Sequence, residues 1–221
     1  MAGNFPVGGR SVSRRELIKR ALMAAAAAAM SAETLAHVGS DQTPFDTFDT
    51  LSRAEAETLQ AIVARLIPTD EHGPGASEAR ADHYIDQALR GALSASRQAY
   101  ADGLAGVDTY AQTSKGALFA ALPPDDQDSV LREMEANTAT GFNPDASTFF
   151  ELLRTHTIEG TFGDPYYGGN TNFVGWDLIG YPGVRVVVTP RHQRLDVAPR
   201  PVHRSAYDFG RFVKEVLNRG R

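Results

Sequence analysis

Apolar side chains between Leu59 and Leu153 recur at spacings of three and four residues, the pattern of helices that each bury one stripe. The clearest case is Leu59, Ile62, Val63 and Leu66, preceded by Ser52 and Glu55 at capping-box spacing and stopped by Pro68. The spacing predicts a second helix over residues 78–93 with Ile85 and Leu89 inward. A third carries Tyr100, Leu104, Val107 and Tyr110 on one stripe, weakened by Gly103 and Gly106. Pro124 suits the first turn of a fourth, whose apolar face is Val130, Leu131 and Met134. Asp145 or Ser147 starts a fifth, containing Phe149, Phe150, Leu152, Leu153 and His156. The expected fold is therefore all-α, one mainly helical domain over residues 37–221. At 42% hydrophobic content the chain is long enough for one well-buried core.

Past the fifth helix the pattern breaks. Residues 162–183 read FGDPYYGGNTNFVGWDLIGYPG, with six glycines, six aromatics and the protein's only tryptophan. That composition suits neither helix nor strand, and long loops inside domains are usually functional. The glycines permit unusual backbone shapes, while Pro165 and Pro182 limit the entropy lost on ordering. VRVVV at 184–188 is β-branched and strand-like. Residues 183–204 form a proline- and arginine-rich tail of extended character. Phe209, Phe212, Val213, Val216 and Leu217 predict a terminal helix over residues 205–218.

Charge and composition remove several functions. A net charge of −5 and a pI near 5.7 leave no basic field for nucleic acid. The absence of cysteine removes disulfides, thiolate nucleophiles, iron–sulfur clusters and covalently attached haem. No glycine-rich phosphate cradle of the dinucleotide or nucleotide type occurs.

The N-terminus reads as an export signal. Ser13, Arg14, Arg15 and Lys19 keep the register of a twin-arginine motif, followed by a short alanine-rich run from Ala21 to Met30. That run is far below the ~20 residues a spanning helix needs. Residues 1–36 are therefore expected to be a signal segment, and the chain to be exported to the periplasm by the twin-arginine translocase. This route carries folded proteins, commonly ones that take up a cofactor before export.

Two kinds of chemistry remain for the rest. His156 and Glu159 fall at i, i+3 on one helix with Asp164 just beyond, a set able to serve a metal or acid–base site. There is, however, no H-E-x-x-H and no G-x-S-x-G. The loop itself can pack on its own domain as an ordered Ω-like loop. It can equally present rigid aromatic anchors to a partner protein, or stack a sugar as a periplasmic binding module.

The block Asp164, Pro165, Tyr167, Gly168, Gly169, Asn170, followed by Gly175, Trp176, Pro182 and Gly183, resembles the hallmark of the gluconate 2-dehydrogenase subunit 3 family. The segment LIPTDEHGPGA, with Pro74 and Gly75, and the twin-arginine start are similar as well. The resemblance implies a small non-catalytic subunit that binds no cofactor itself. Its partner would be a large FAD-dependent dehydrogenase of the glucose–methanol–choline type, acting on sugars, sugar acids or alcohols. Many such complexes add a multihaem cytochrome c subunit. The small subunit would carry the export signal for the flavin subunit and help it fold and take up FAD. On this reading Asp164, Pro165, Tyr166, Tyr167, Gly168, Gly169, Asn170, Gly175, Trp176, Tyr181, Pro182 and Gly183, with Pro74 and Gly75, form the partner interface.

Overall fold

The first helix obeys the sequence closely. In the computed structural model, which describes residues 47–210, helix α1 spans Arg53–Leu66. Ser52 caps it and Glu55 returns the bond to the Ser52 amide, so both halves of the capping box are formed. Ala56, Leu59, Ile62 and Val63 are its buried stripe. Helices α2 (Ala81–Arg90), α3 (Arg97–Lys115), α4 (Pro124–Glu135), α5 (Ala146–Phe162) and α6 (Val174–Leu178) follow in order. Pro124 occupies the first turn of α4, and Asp145 caps α5 by accepting from the Thr148 amide at 2.9 Å.

These helices enclose one core, in which Leu59, Ile85, Tyr100, Leu104, Met134 and Leu153 are fully buried. The α2 and α5 helices make the most extensive helix pairing, with α4 against α5 next. Gly103 and Gly106 do not weaken α3 to no purpose. A Cβ at Gly103 would sit 2.4 Å from the Phe149 ring, and one at Gly106 would sit 3.2 Å from Phe142. The missing side chains are the slots into which two phenyl rings pack.

Polar groups hold the segments before and around α1. The buried Asp86 carboxylate accepts from the backbone amides of Asp49 at 2.7 Å, Thr50 at 2.9 Å and Leu51 at 2.8 Å. Arg65 binds Asp128 through two bonds of 2.7 Å, which holds the Asp128 carboxyl below the ordinary carboxylate range. Burial raises the Glu55 carboxyl, but Arg97 and the Ser52 amide outweigh it and leave the group lowered.

Four expectations need correction. The second helix is shorter than residues 78–93, because Arg80 adopts φ 57° and the α2 helix begins only at Ala81. The loop over residues 162–183 is not without helix, since it contains α6 and two 3-10 turns. VRVVV makes no strand, and no strand occurs among the described residues. β-branched side chains favour a pleat only when a neighbouring edge supplies the ladder, and here Val187 and Val188 face solvent. At the C-terminus, Ala206–Asp208 is a 3-10 turn rather than the start of a helix, and residues 211–218 lie outside the described residues. The signal segment, with Ser13, Arg14, Arg15 and Lys19, also lies outside them.

Candidate functional site

The glycine–aromatic loop begins where α5 runs out. Gly163 closes the helix with its amide on the Glu159 carbonyl at 2.8 Å, and Asp164 then caps the Pro165–Tyr167 turn through the Tyr166 amide at 3.0 Å. The centre of the loop is Asn170. It is fully buried at φ 45°, in the left-handed region that asparagine tolerates better than most residues. Its amide donates to the Gly160 carbonyl at 2.7 Å, its Nδ2 to the Gly163 carbonyl at 2.8 Å, and its Oδ1 accepts from the Gly175 amide at 2.9 Å. One side chain thus joins the end of α5 to the start of α6.

Two glycines flank this knot because nothing larger fits. A Cβ at Gly169 would lie 2.1 Å from the Gly160 carbonyl oxygen, and one at Gly175 would lie 1.9 Å from that of Thr161. The loop backbone is pressed directly on the α5 backbone, a contact open to glycine alone.

The aromatics divide into two groups. Trp176 is buried, with its Nε1 donating to the Phe162 carbonyl at 2.9 Å, and it packs against Phe173 and edge-on against Tyr181. It is the loop's own small core. Tyr166 and Tyr167 are each 49% exposed, and Ile179 and Tyr181, near the far end of the loop, are exposed as well. Gly168 follows the two tyrosines at φ 95° and turns the chain back inward. The segment carrying Pro74 and Gly75 lies next to this loop: a Cβ on Gly73 would be 3.2 Å from Leu178 Cδ1. Gly75 itself is buried, its amide held by Thr69 Oγ1 and Glu78 Oε2 at 3.1 Å each.

Residues beyond Gly183 return to the loop, a feature the sequence did not announce. Asp164 Oδ2 accepts from the Ala206 amide at 2.8 Å, and the Val202 amide donates to the Pro182 carbonyl at 3.0 Å. His203 bonds Asp177 at 2.7 Å and stacks on Phe173. Tyr207 stacks on Tyr166 with centroids 3.7 Å apart, and its hydroxyl lies 2.7 Å from that of Tyr167. That shared bond, with partial burial, pushes the Tyr167 phenol up to about 12. Ser205 and Asp208 form a capping box on the short turn that carries Tyr207.

His156, Glu159 and Asp164 are each committed elsewhere. His156 Nδ1 is 2.9 Å from the Tyr100 hydroxyl in the core, and burial pushes its pKa down despite the opposing charge of Glu159. Glu159 accepts from the Tyr84 hydroxyl at 2.9 Å, and Asp164 serves the two amides already named. Among the described residues no group of three or more His, Asp or Glu side chains is placed to hold a metal ion. No helix among them is long and apolar enough to cross a membrane.

The site is therefore a rigid loop, locked by Asn170 and Trp176, that offers an aromatic ledge to its surroundings. No curated protein and no solved structure matches the chain. The family model for gluconate 2-dehydrogenase subunit 3 matches residues 53–183, from the first turn of α1 to the last glycine of the loop. That match covers more than half of the chain, and this protein belongs to the gluconate 2-dehydrogenase subunit 3 family, whose members are accessory subunits of dehydrogenase complexes.

Proposed function

We propose that this protein is the non-catalytic small subunit of an exported FAD-dependent dehydrogenase of the glucose–methanol–choline type, which oxidises a sugar, sugar acid or alcohol. It binds the flavin subunit, assists its folding and FAD uptake, and carries the twin-arginine signal that exports the pair. A multihaem cytochrome c subunit would complete the electron path in such a complex. The flavin belongs to the partner, and this chain contributes shape and adhesion.

The observation that carries the reading is the half-exposed pair Tyr166 and Tyr167 on a backbone fixed by Asn170, within the residues that match the family. Aromatic anchors on a pre-ordered loop lose little entropy on docking, which is where interface hot spots concentrate. A subunit that binds only the native flavoprotein also shifts its folding equilibrium. Arg14 and Arg15, in twin-arginine register, supply the export half of the role.

Co-expression with the flavin subunit tests the docking role. Tyr166→Ala with Tyr167→Ala is expected to lower the co-purified, FAD-loaded partner at least tenfold; full recovery would overturn the reading. Arg14→Lys with Arg15→Lys is expected to strand both chains in the cytoplasm.

A further inference from the structure

The residues after the family match carry an unusual charge. Between 184 and 204 stand Arg185, Arg191, Arg194, Arg200 and Arg204 against a single acidic residue, Asp196, in a protein of net charge −5. Asp196 is already bound by Arg194. In the helical body the pattern is the reverse: Arg65, Arg90, Arg97 and Arg154 each pair with a carboxylate. No ion pair joins Arg185, Arg191 or Arg200 to a carboxylate among the described residues.

These unpaired cations are gathered together. Arg185, Arg191, His192 and Arg200, with Val197 and Val202, line a cavity of about 580 Å³ that has no acidic side chain in its wall. Arg185 is braced there, its guanidinium bonding to the Arg200 carbonyl and lying 3.5 Å from His192 Nε2. Its Nε is shielded from solvent and has no hydrogen-bond partner in the protein. Shielded donors are almost always satisfied, so this one points to an acceptor brought from outside. Between these lining residues in the sequence, Val187 and Val188 are 65% and 61% exposed and Leu195 is fully exposed. Arginine is among the residues enriched at protein interfaces.

We infer that residues 184–204 form a docking arm for an acidic protein surface, one of whose carboxylates enters the cavity between Arg185, Arg191 and Arg200. The fork geometry of guanidinium suits a carboxylate held by two bonds, and the exposed valines and Leu195 of the same arm offer apolar surface for the partner to cover. The inference rests on the proposed function, in that the acidic surface belongs to the flavin subunit. The arm then adds a charged contact to the aromatic one, and Tyr207 and His203 hold the two in one unit.

The test uses the full chain and the purified flavin subunit, with dissociation constants measured from about 50 to 500 mM salt. Arg191→Glu with Arg200→Glu is expected to weaken binding at least tenfold at low salt and to flatten its salt dependence. Both substituted side chains are exposed, so an unchanged circular dichroism spectrum is expected, and Arg191→Lys with Arg200→Lys should keep the salt dependence. Unchanged affinity and salt dependence in the charge-reversed chain, with loss of binding in Tyr166→Ala/Tyr167→Ala, overturns the arm and leaves the loop reading standing. The opposite pattern overturns the loop reading and supports the arm. Loss of binding only to phosphatidylglycerol vesicles would make the arm a lipid-facing surface and overturn the inference.

Discussion

The Trp176 indole donates to the Phe162 carbonyl at 2.9 Å, so the loop's tryptophan is tied to the last residue of the helix from which the loop departs. Trp176 is buried in its own chain, while Tyr166 and Tyr167 stand half in solvent. Trp176→Ala should therefore cost about 3–5 kcal/mol in thermal or denaturant unfolding, as truncation of a buried aromatic does. Tyr167→Ala should cost about 1 kcal/mol or less. Because Trp176 is the protein's only tryptophan, its emission reports this site alone. A spectrum matching free indole in the native protein would contradict the arrangement.

Backbone crowding makes a sharper prediction. Gly175→Ala and Gly169→Ala each place a methyl about 2 Å from a backbone carbonyl oxygen in the last turn of α5, so the loop and the helix end must be pushed apart. Each is expected to destabilise by about 3 kcal/mol. Gly180→Ala, with no atom within 4 Å but φ 65°, should cost only the ~1 kcal/mol of a strained backbone. Equal effects at the three positions, measured by urea unfolding, would contradict the contact.

His156 sets an acid-side dependence. Its folded pKa is lowered by burial, so below the unfolded value of about 6.5 the unfolded chain takes up a proton that the folded one resists. The associated stability is intact above that value and is lost as pH falls toward the folded pKa. His156→Gln should be less stable at pH 8 yet should flatten the change between about pH 7 and 5. An unaltered slope in the variant would assign the dependence elsewhere.

At the alkaline end the sign reverses. Tyr167 is pushed up to about 12 by its bond to Tyr207, so its contribution is complete below the unfolded value of about 10. It is lost as pH rises toward 12. Burial and carboxylate contacts also raise the phenols of Tyr84, Tyr100 and Tyr110, so absorbance titration of tyrosinate should show several late phenols, and Tyr207→Phe should move one of them down toward about 10.

The helical body was readable because its signals are local. Ser52 and Glu55 sit within one turn of each other, Pro124 declares its own φ, and Leu59, Ile62 and Val63 mark a face without reference to anything else. What was hidden depends on distant partners. Asp86 looks like any polar residue on an amphipathic helix until the amides of residues 49–51, more than thirty positions earlier, arrive on it. Gly103 looks like a helix breaker until Phe149 fills its place. The same blindness explains VRVVV, whose β-branched run meets no neighbouring edge. The candidate site was legible in its composition, since glycine and tryptophan so close together demand an ordered loop. Its division into a buried Trp176 and an outward Tyr166–Tyr167 pair was not, because facing is set by the Asn170 knot and by the returning Tyr207.

Asp164 splits its two carboxylate oxygens between a neighbour two residues away and another forty-two residues away. Through that atom pair the polypeptide is clasped into a closed circuit, with residues 165–205 as the enclosed span. A single protease nick anywhere between Val187 and Pro199 would then cut the chain without releasing a piece. The two fragments would migrate together until denaturant opened the clasp.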